Sequence, residues 1–175
     1  GSTLTICQSY RSSQWSHGTS NPGWPLDIGL SPYCPSNEAA GVPVVAMASG
    51  TVAHLRKTPA SMADDHMYLR INGGGLLMYG HVVPTSSMYE GKQVTQGEVI
   101  ATIRPPSFSN NYQSHLHLEV YAGNCWMCSP QPFSGAYRMG ANNPSLPANT
   151  TSNFYRGYKL AGSAGAARRR FESAQ

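Results

Sequence analysis

The residues with chemistry to offer collect in one short run, Ser114-His-Leu-His-Leu-Glu-Val-Tyr121. It alternates polar with apolar and contains Val and Tyr, so it reads as a β-strand. Side chains two apart on a strand share a face, which sets His115 beside His117. Two imidazoles converging on one point suit a zinc ion, or one ligand with an acid–base group beside it. The pair alone leaves both readings open. Catalytic zinc keeps three protein ligands and one open position, so further partners must come from elsewhere in the chain. His17 and Asp27 stand at the two ends of a loop dense in breakers, His17-Gly-Thr-Ser-Asn-Pro-Gly-Trp-Pro-Leu-Asp27. Taken singly, each reads as a turn or surface polar group. Asp64-Asp65-His66 resembles a metal cluster on paper, but consecutive residues on extended backbone cannot converge, so it reads as a solvated loop. His54 has no partner at a useful spacing and reads as structural.

The elements that must position these residues are strands. Only 11% of the chain is charged, well under the roughly 25% of ordinary globular proteins. With 18 Gly, 13 Pro and 10 Tyr among 175 residues, the composition is that of a turn-rich β protein with one core. Strands are expected near Leu4–Tyr10 (an edge strand), Leu26–Leu30, Gly41–Ala46, Thr51–Leu55, Met67–Ile71 and Leu76–His81, with two short segments around Gly91 and Gly97. Asn72-Gly73 predicts a hairpin whose two turn residues both take positive φ. The glycines after it lack the Lys-Ser/Thr and the helix that a phosphate loop needs. The hairpin's second strand carries His81 to its end. Residues 1–140 are expected to form the functional domain, and 141–175 an extended, poorly ordered tail ending in Arg168–Arg170 and little else to bury.

Net charge of +4 and a pI near 9.0 favour a polyanionic neighbour, though a mildly basic secreted protein without one fits equally. No run of about 18 apolar residues spans a membrane. Gly1-Ser2 reads as a cloning scar, so a processed domain is expected. Cys7, Cys34, Cys125 and Cys128 are compatible with two disulfides in three pairings, while Cys125-x-x-Cys128 alone also fits half a zinc site or a redox pair. Disulfides are the favoured reading and point to an oxidising compartment.

Several short motifs now fall in one order. His17…Asp27, Gly41-Val-Pro-Val, Gly50-Thr-Val, Tyr79-Gly-His81, Gly91-Lys-Gln-Val…Gly97-Glu-Val-Ile100 and His115-Leu-His117-Leu-Glu-Val together resemble the zinc endopeptidases of lysostaphin, staphylolysin and β-lytic protease. The likeness covers roughly residues 17–121, and Ser134-Gly-Ala-Tyr-Arg138 is similar to the segment that follows in the β-lytic branch. The resemblance implies an all-β fold, an antiparallel sheet core with a loop-lined groove and little helix. It implies zinc held by His17, Asp27 and His117, with His81 and His115 as the unliganded catalytic pair. His115 would take a proton from water and pass it to the leaving amine, and His81 would help stabilise the oxyanion. The implied substrate is the peptide part of bacterial peptidoglycan, met by a secreted or periplasmic monomer. An anionic cell-wall surface, and no nucleic acid, completes the expected partners.

Two departures from the family pattern stand out. Nine residues separate His17 from Asp27, closer to the long staphylolysin loop than to the short His-x-x-x-Asp of many relatives. Gln113-Ser114 replaces the usual Gly-Pro before His-x-His, and Ser114-His-Leu-His also resembles vertebrate chemotactic relatives that keep zinc ligands without the catalytic histidine. A non-catalytic, zinc-stabilised binding or signalling module is therefore the second expectation. The presence of His81 favours catalysis.

Overall fold

A computed structural model describes residues 5–8, 24–30, 37–56, 65–106, 114–125, 128, 130, 131 and 133. His17, Cys34, residues 57–64, 107–113 and the segment from 134 onward lie outside the described residues, so the expectations placed on them, the 141–175 tail included, stand as stated above. The described chain is all-β. Its strands are β1 (Thr5–Gln8), β2 (Leu26–Gly29), β3 (Pro43–Val45), β4 (Gly50–Arg56), β5 (His66–Ile71), β6 (Leu76–Gly80), β7 (Val82–Pro84), β8 (Gln93–Val94), β9 (Val99–Ile103) and β10 (Leu116–Tyr121). A single 3-10 turn at Asn37–Ala39 is the helical content among the described residues.

Seven strands form one antiparallel sheet in the order β1-β2-β10-β6-β5-β4-β8, and three form a second in the order β3-β9-β7. Period-two alternation divides the larger sheet into two faces. Val52, Met67, Leu69, Leu77, Tyr79, Leu118 and Val120 point one way and bury themselves against Val44, Val82, Ile100 and Ile103 of the smaller sheet. Tyr79, fully buried, still finds a partner for its hydroxyl, which accepts the Met47 N–H at 2.9 Å. The residues between them, His66, Tyr68, Met78, Gly80, His117, Glu119 and Tyr121, take the opposite face.

Three local expectations need correction. In the β5–β6 hairpin the positive-φ residues are Gly73, Gly74 and Gly75, and Asn72 is absent from that set. Three glycines let the reversal form downstream of Asn72, with Gly74 N–H bonding the Ile71 carbonyl at 3.1 Å. Asp65 is buried rather than solvated, 3.4 Å from Arg104, and His66 opens β5. His54 does have a partner, since its Nδ1 lies 3.0 Å from the Glu90 carboxylate. Pairs this distant in sequence leave no trace in local periodicity. The cysteine motif closes on itself as a Cys125–Cys128 disulfide, and Cys7 is disulfide-bonded as well.

Candidate metal centre

The candidate site is built across four strands on the face of the larger sheet that turns away from the main core. Register places Asp27 of β2 opposite His117 of β10, His117 opposite Gly80 of β6, and Gly80 opposite His66 of β5. The His117 ring needs the missing side chain of its neighbour. A Cβ on Gly80 would stand 3.2 Å from the His117 Cβ and 3.4 Å from its Cδ2, closer than such contacts ordinarily come. Tyr79-Gly-His81 therefore uses its glycine as space rather than as flexibility.

His117 sits between two carboxylates. Its Nδ1 is 2.9 Å from Asp27 Oδ1, and its Nε2 is 3.1 Å from Glu119 Oε1. Burial opposes a positive charge here, but hydrogen bonds and the fields of Asp27 and Glu119 outweigh it and push the imidazole pKa up to about 10. Glu119 is held in turn by Tyr121, whose hydroxyl donates to its other oxygen. Burial, then Glu119, pushes the Tyr121 phenol up, so it remains a donor. Tyr68 packs its ring 5.9 Å from that of Tyr121 and extends the polar chain across to β5. Glu119 lay in view within the motif, two residues past His117 on the same strand face. Tyr121 follows at the same spacing on that face, whereas Tyr68, on β5, could not have been linked to it without the register.

His81 is the single residue between the end of β6 in the larger sheet and the start of β7 in the smaller. Its φ of 60° is the one left-handed value among described residues other than glycine. That conformation costs on the order of 1–2 kcal/mol for a residue with a Cβ. The corner turns the ring back over the sheet, 4.7 Å from the His115 ring and 5.6 Å from that of His117, centroid to centroid. His115 stands just ahead of β10, with Nε2 3.6 Å from Asp27 Oδ1. Of the five site residues read from the sequence, Asp27, His81, His115 and His117 thus come together, and His17 is outside the described residues.

The donor set suits a divalent metal. His81, His115 and His117 each offer a nitrogen, and these lie within 4.8 Å of one another. Tetrahedral zinc with bonds near 2.0 Å spaces its ligand atoms by about 3.3 Å. The 2.9 and 3.6 Å separations of Asp27 Oδ1 from the two imidazoles bracket that value. The second nitrogen of His117 is backed by a carboxylate, the usual arrangement behind a metal-binding histidine.

An all-β fold carrying a histidine–carboxylate cluster on one sheet face defines a class, that of β-sheet proteins with a metal-type centre. Residues 36–130 match the family description Peptidase family M23, more than half of the chain, and the chain belongs to that family. Peptidase is therefore its coarse activity. The fold is similar to that of a point-mutant catalytic domain of the prophage-encoded M23 protein EnpA from Enterococcus faecalis, at 17% identity and TM-score 0.53, covering 75% of this chain and 90% of that one. It is also similar to the catalytic domain of the antimicrobial peptidase lysostaphin from Staphylococcus simulans, at 17% identity and TM-score 0.52, covering 74% and 86%. A solution structure of lysostaphin aligns at 18% identity and TM-score 0.55, covering 74% of this chain and 48% of that one. No curated protein matches the chain in sequence.

Proposed function

We propose that this peptidase is a zinc-dependent endopeptidase that cleaves the peptide cross-bridges or stem peptides of bacterial peptidoglycan. The observation that carries the reading is the convergence of Asp27, His81, His115 and His117 on one patch, with Asp27 buried and 2.9 Å from His117. Asp27 and His117, completed by His17, are the ligands in this reading, and Glu119 fixes which nitrogen of His117 keeps its proton. In the metal-free protein both nitrogens can donate, and a metal at Nδ1 would displace the proton shared with Asp27 while Nε2–H keeps donating to Glu119. When bound, zinc supplies Lewis acidity and lowers the pKa of a water to about 7.

The remaining work belongs to the two other imidazoles. His115, half-buried and just outside the strand, takes a proton from the attacking water and returns it to the leaving amine. His81, across the ring contact, donates to the oxygen that gains charge as the carbonyl becomes tetrahedral. Their rings meet edge to face, 4.7 Å apart. A secreted or periplasmic setting and an anionic wall surface accord with the net charge of +4 and the disulfides. Among the described residues no helix is long and apolar enough to cross a membrane.

The test is to incubate zinc-loaded protein with purified peptidoglycan of several wall types, with and without chelator, and to identify new amino termini by mass spectrometry. Chelator-sensitive termini are expected, and their sequence names the bond. Stoichiometric zinc with no new termini on any wall would instead favour the non-catalytic binding module.

A further inference from the structure

The corner that carries His81 is held from both sides by backbone. Asp65, the residue before β5, gives its carbonyl to the His81 N–H at 2.8 Å and to the Val82 N–H at 3.4 Å. Arg104, the residue after β9, gives its N–H to the His81 carbonyl at 2.9 Å. The same two residues then meet through their side chains, Arg104 Nη1 to Asp65 Oδ2 at 3.4 Å, both buried. One adjoins a strand of the larger sheet and the other a strand of the smaller, so the ion pair links the two sheets at the point where the chain passes between them.

A buried ion pair is a weak source of stability, because desolvation offsets most of the attraction. Its value here is geometric. Both peptide groups of His81 are fixed by residues whose separation the pair sets, and a left-handed corner persists only where its surroundings over-determine it. We propose that the Asp65–Arg104 pair is the positioning device for His81, locking its left-handed corner so that the imidazole stays against His115. This rests on the reading of His81 as a catalytic group. Both residues act through His81 in this proposal.

Removing one partner would strand a charge, so the main variant of the full chain is the double substitution Asp65→Leu/Arg104→Met, which removes both charges and keeps bulk. Three quantities are measured: nuclear Overhauser contacts between the His81 and His115 rings in metal-free protein, zinc stoichiometry, and kcat and KM for release of amino termini from purified peptidoglycan. The expected result is loss of the ring contacts, a kcat lowered about 10- to 100-fold, KM within about twofold, and one zinc retained. A folded double variant with wild-type ring contacts and kcat overturns the proposal. Should that variant not fold, Asp65→Asn/Arg104→Gln decides by the same readings, since it drops both charges and keeps two polar side chains. His81→Ala, run alongside, is expected to lose about 10²-fold or more in turnover with zinc retained. If it turns over normally, the catalytic reading of His81 fails, while the ring contacts still decide whether the pair positions it.

Discussion

The two faces of the seven-stranded sheet are made by the same strands and differ in nearly everything else. On β10, Leu118 and Val120 enter the core while His117, Glu119 and Tyr121 form a hydrogen-bonded line on the other side. On β6, Leu77 and Tyr79 are fully buried, and Gly80, the residue after them, makes room for an imidazole. One face is held by close packing, where volume decides. The other is held by partnered polar groups, where identity decides. A strand can serve both because successive side chains point to opposite sides.

Substitutions on the two faces should therefore fail in different measurements. The largest effect is expected for Asp27→Ala, which removes a carboxylate from His117 and with it the metal. Zinc stoichiometry should fall to near zero and turnover should vanish, while the apolar face keeps the fold. Leu118→Ala, one strand position from His117, should do the reverse. A cavity in the core costs about 2–5 kcal/mol, read as a lower denaturation midpoint, with zinc still bound by the folded fraction. Gly80→Ala tests the boundary between the faces. Its methyl would push on the His117 ring, and zinc affinity in a chelator competition should fall about 10-fold, at the low end of what losing outer support of a ligand costs. An unchanged affinity would show that the ring can yield.

The smallest effect lies away from both faces, at Glu98. Its carboxyl is held below the usual 4.5 by the hydrogen bond from Lys92 and then by the Thr95 N–H. A carboxylate with a lowered folded pKa stabilises above its unfolded value and loses that contribution as pH falls through the folded one. Glu98→Gln should be weaker than wild type by about 0.5 kcal/mol at neutral pH. The two should converge in acid, as thermal melts at several pH values would show.

Much of this division was legible in the sequence. Alternation from Ser114 to Tyr121 gave both faces of β10, and the short apolar runs around Val52 and Leu69 gave two strands of its sheet, that around Val44 one strand of the sheet packed against it. The grouping of Asp27 with three histidines came from motif order and the family likeness rather than from any local pattern. What escaped were pairings set by tertiary structure. Asp65 sits in a run of polar residues that looks solvated until Arg104, 39 positions on, closes over it. The Asn-Gly cue named the hairpin correctly and misplaced its turn, because two more glycines offered the same freedom downstream. His81 was readable as a strand end. Its left-handed corner was not, since φ depends on which sheet the next strand joins.

The pairing of β2 with β10 has a kinetic side as well. Asp27 and His117 stand 90 positions apart, so during synthesis the aspartate waits for most of the chain before its partner arrives. Joining ends that far apart is slow, and it follows the local hairpins. An ion gripped by both would act as a late stitch across that long loop. It would leave the early folding steps untouched and slow the escape from the finished state. For a hydrolase, how long the chain stays folded matters as much as how stable it is.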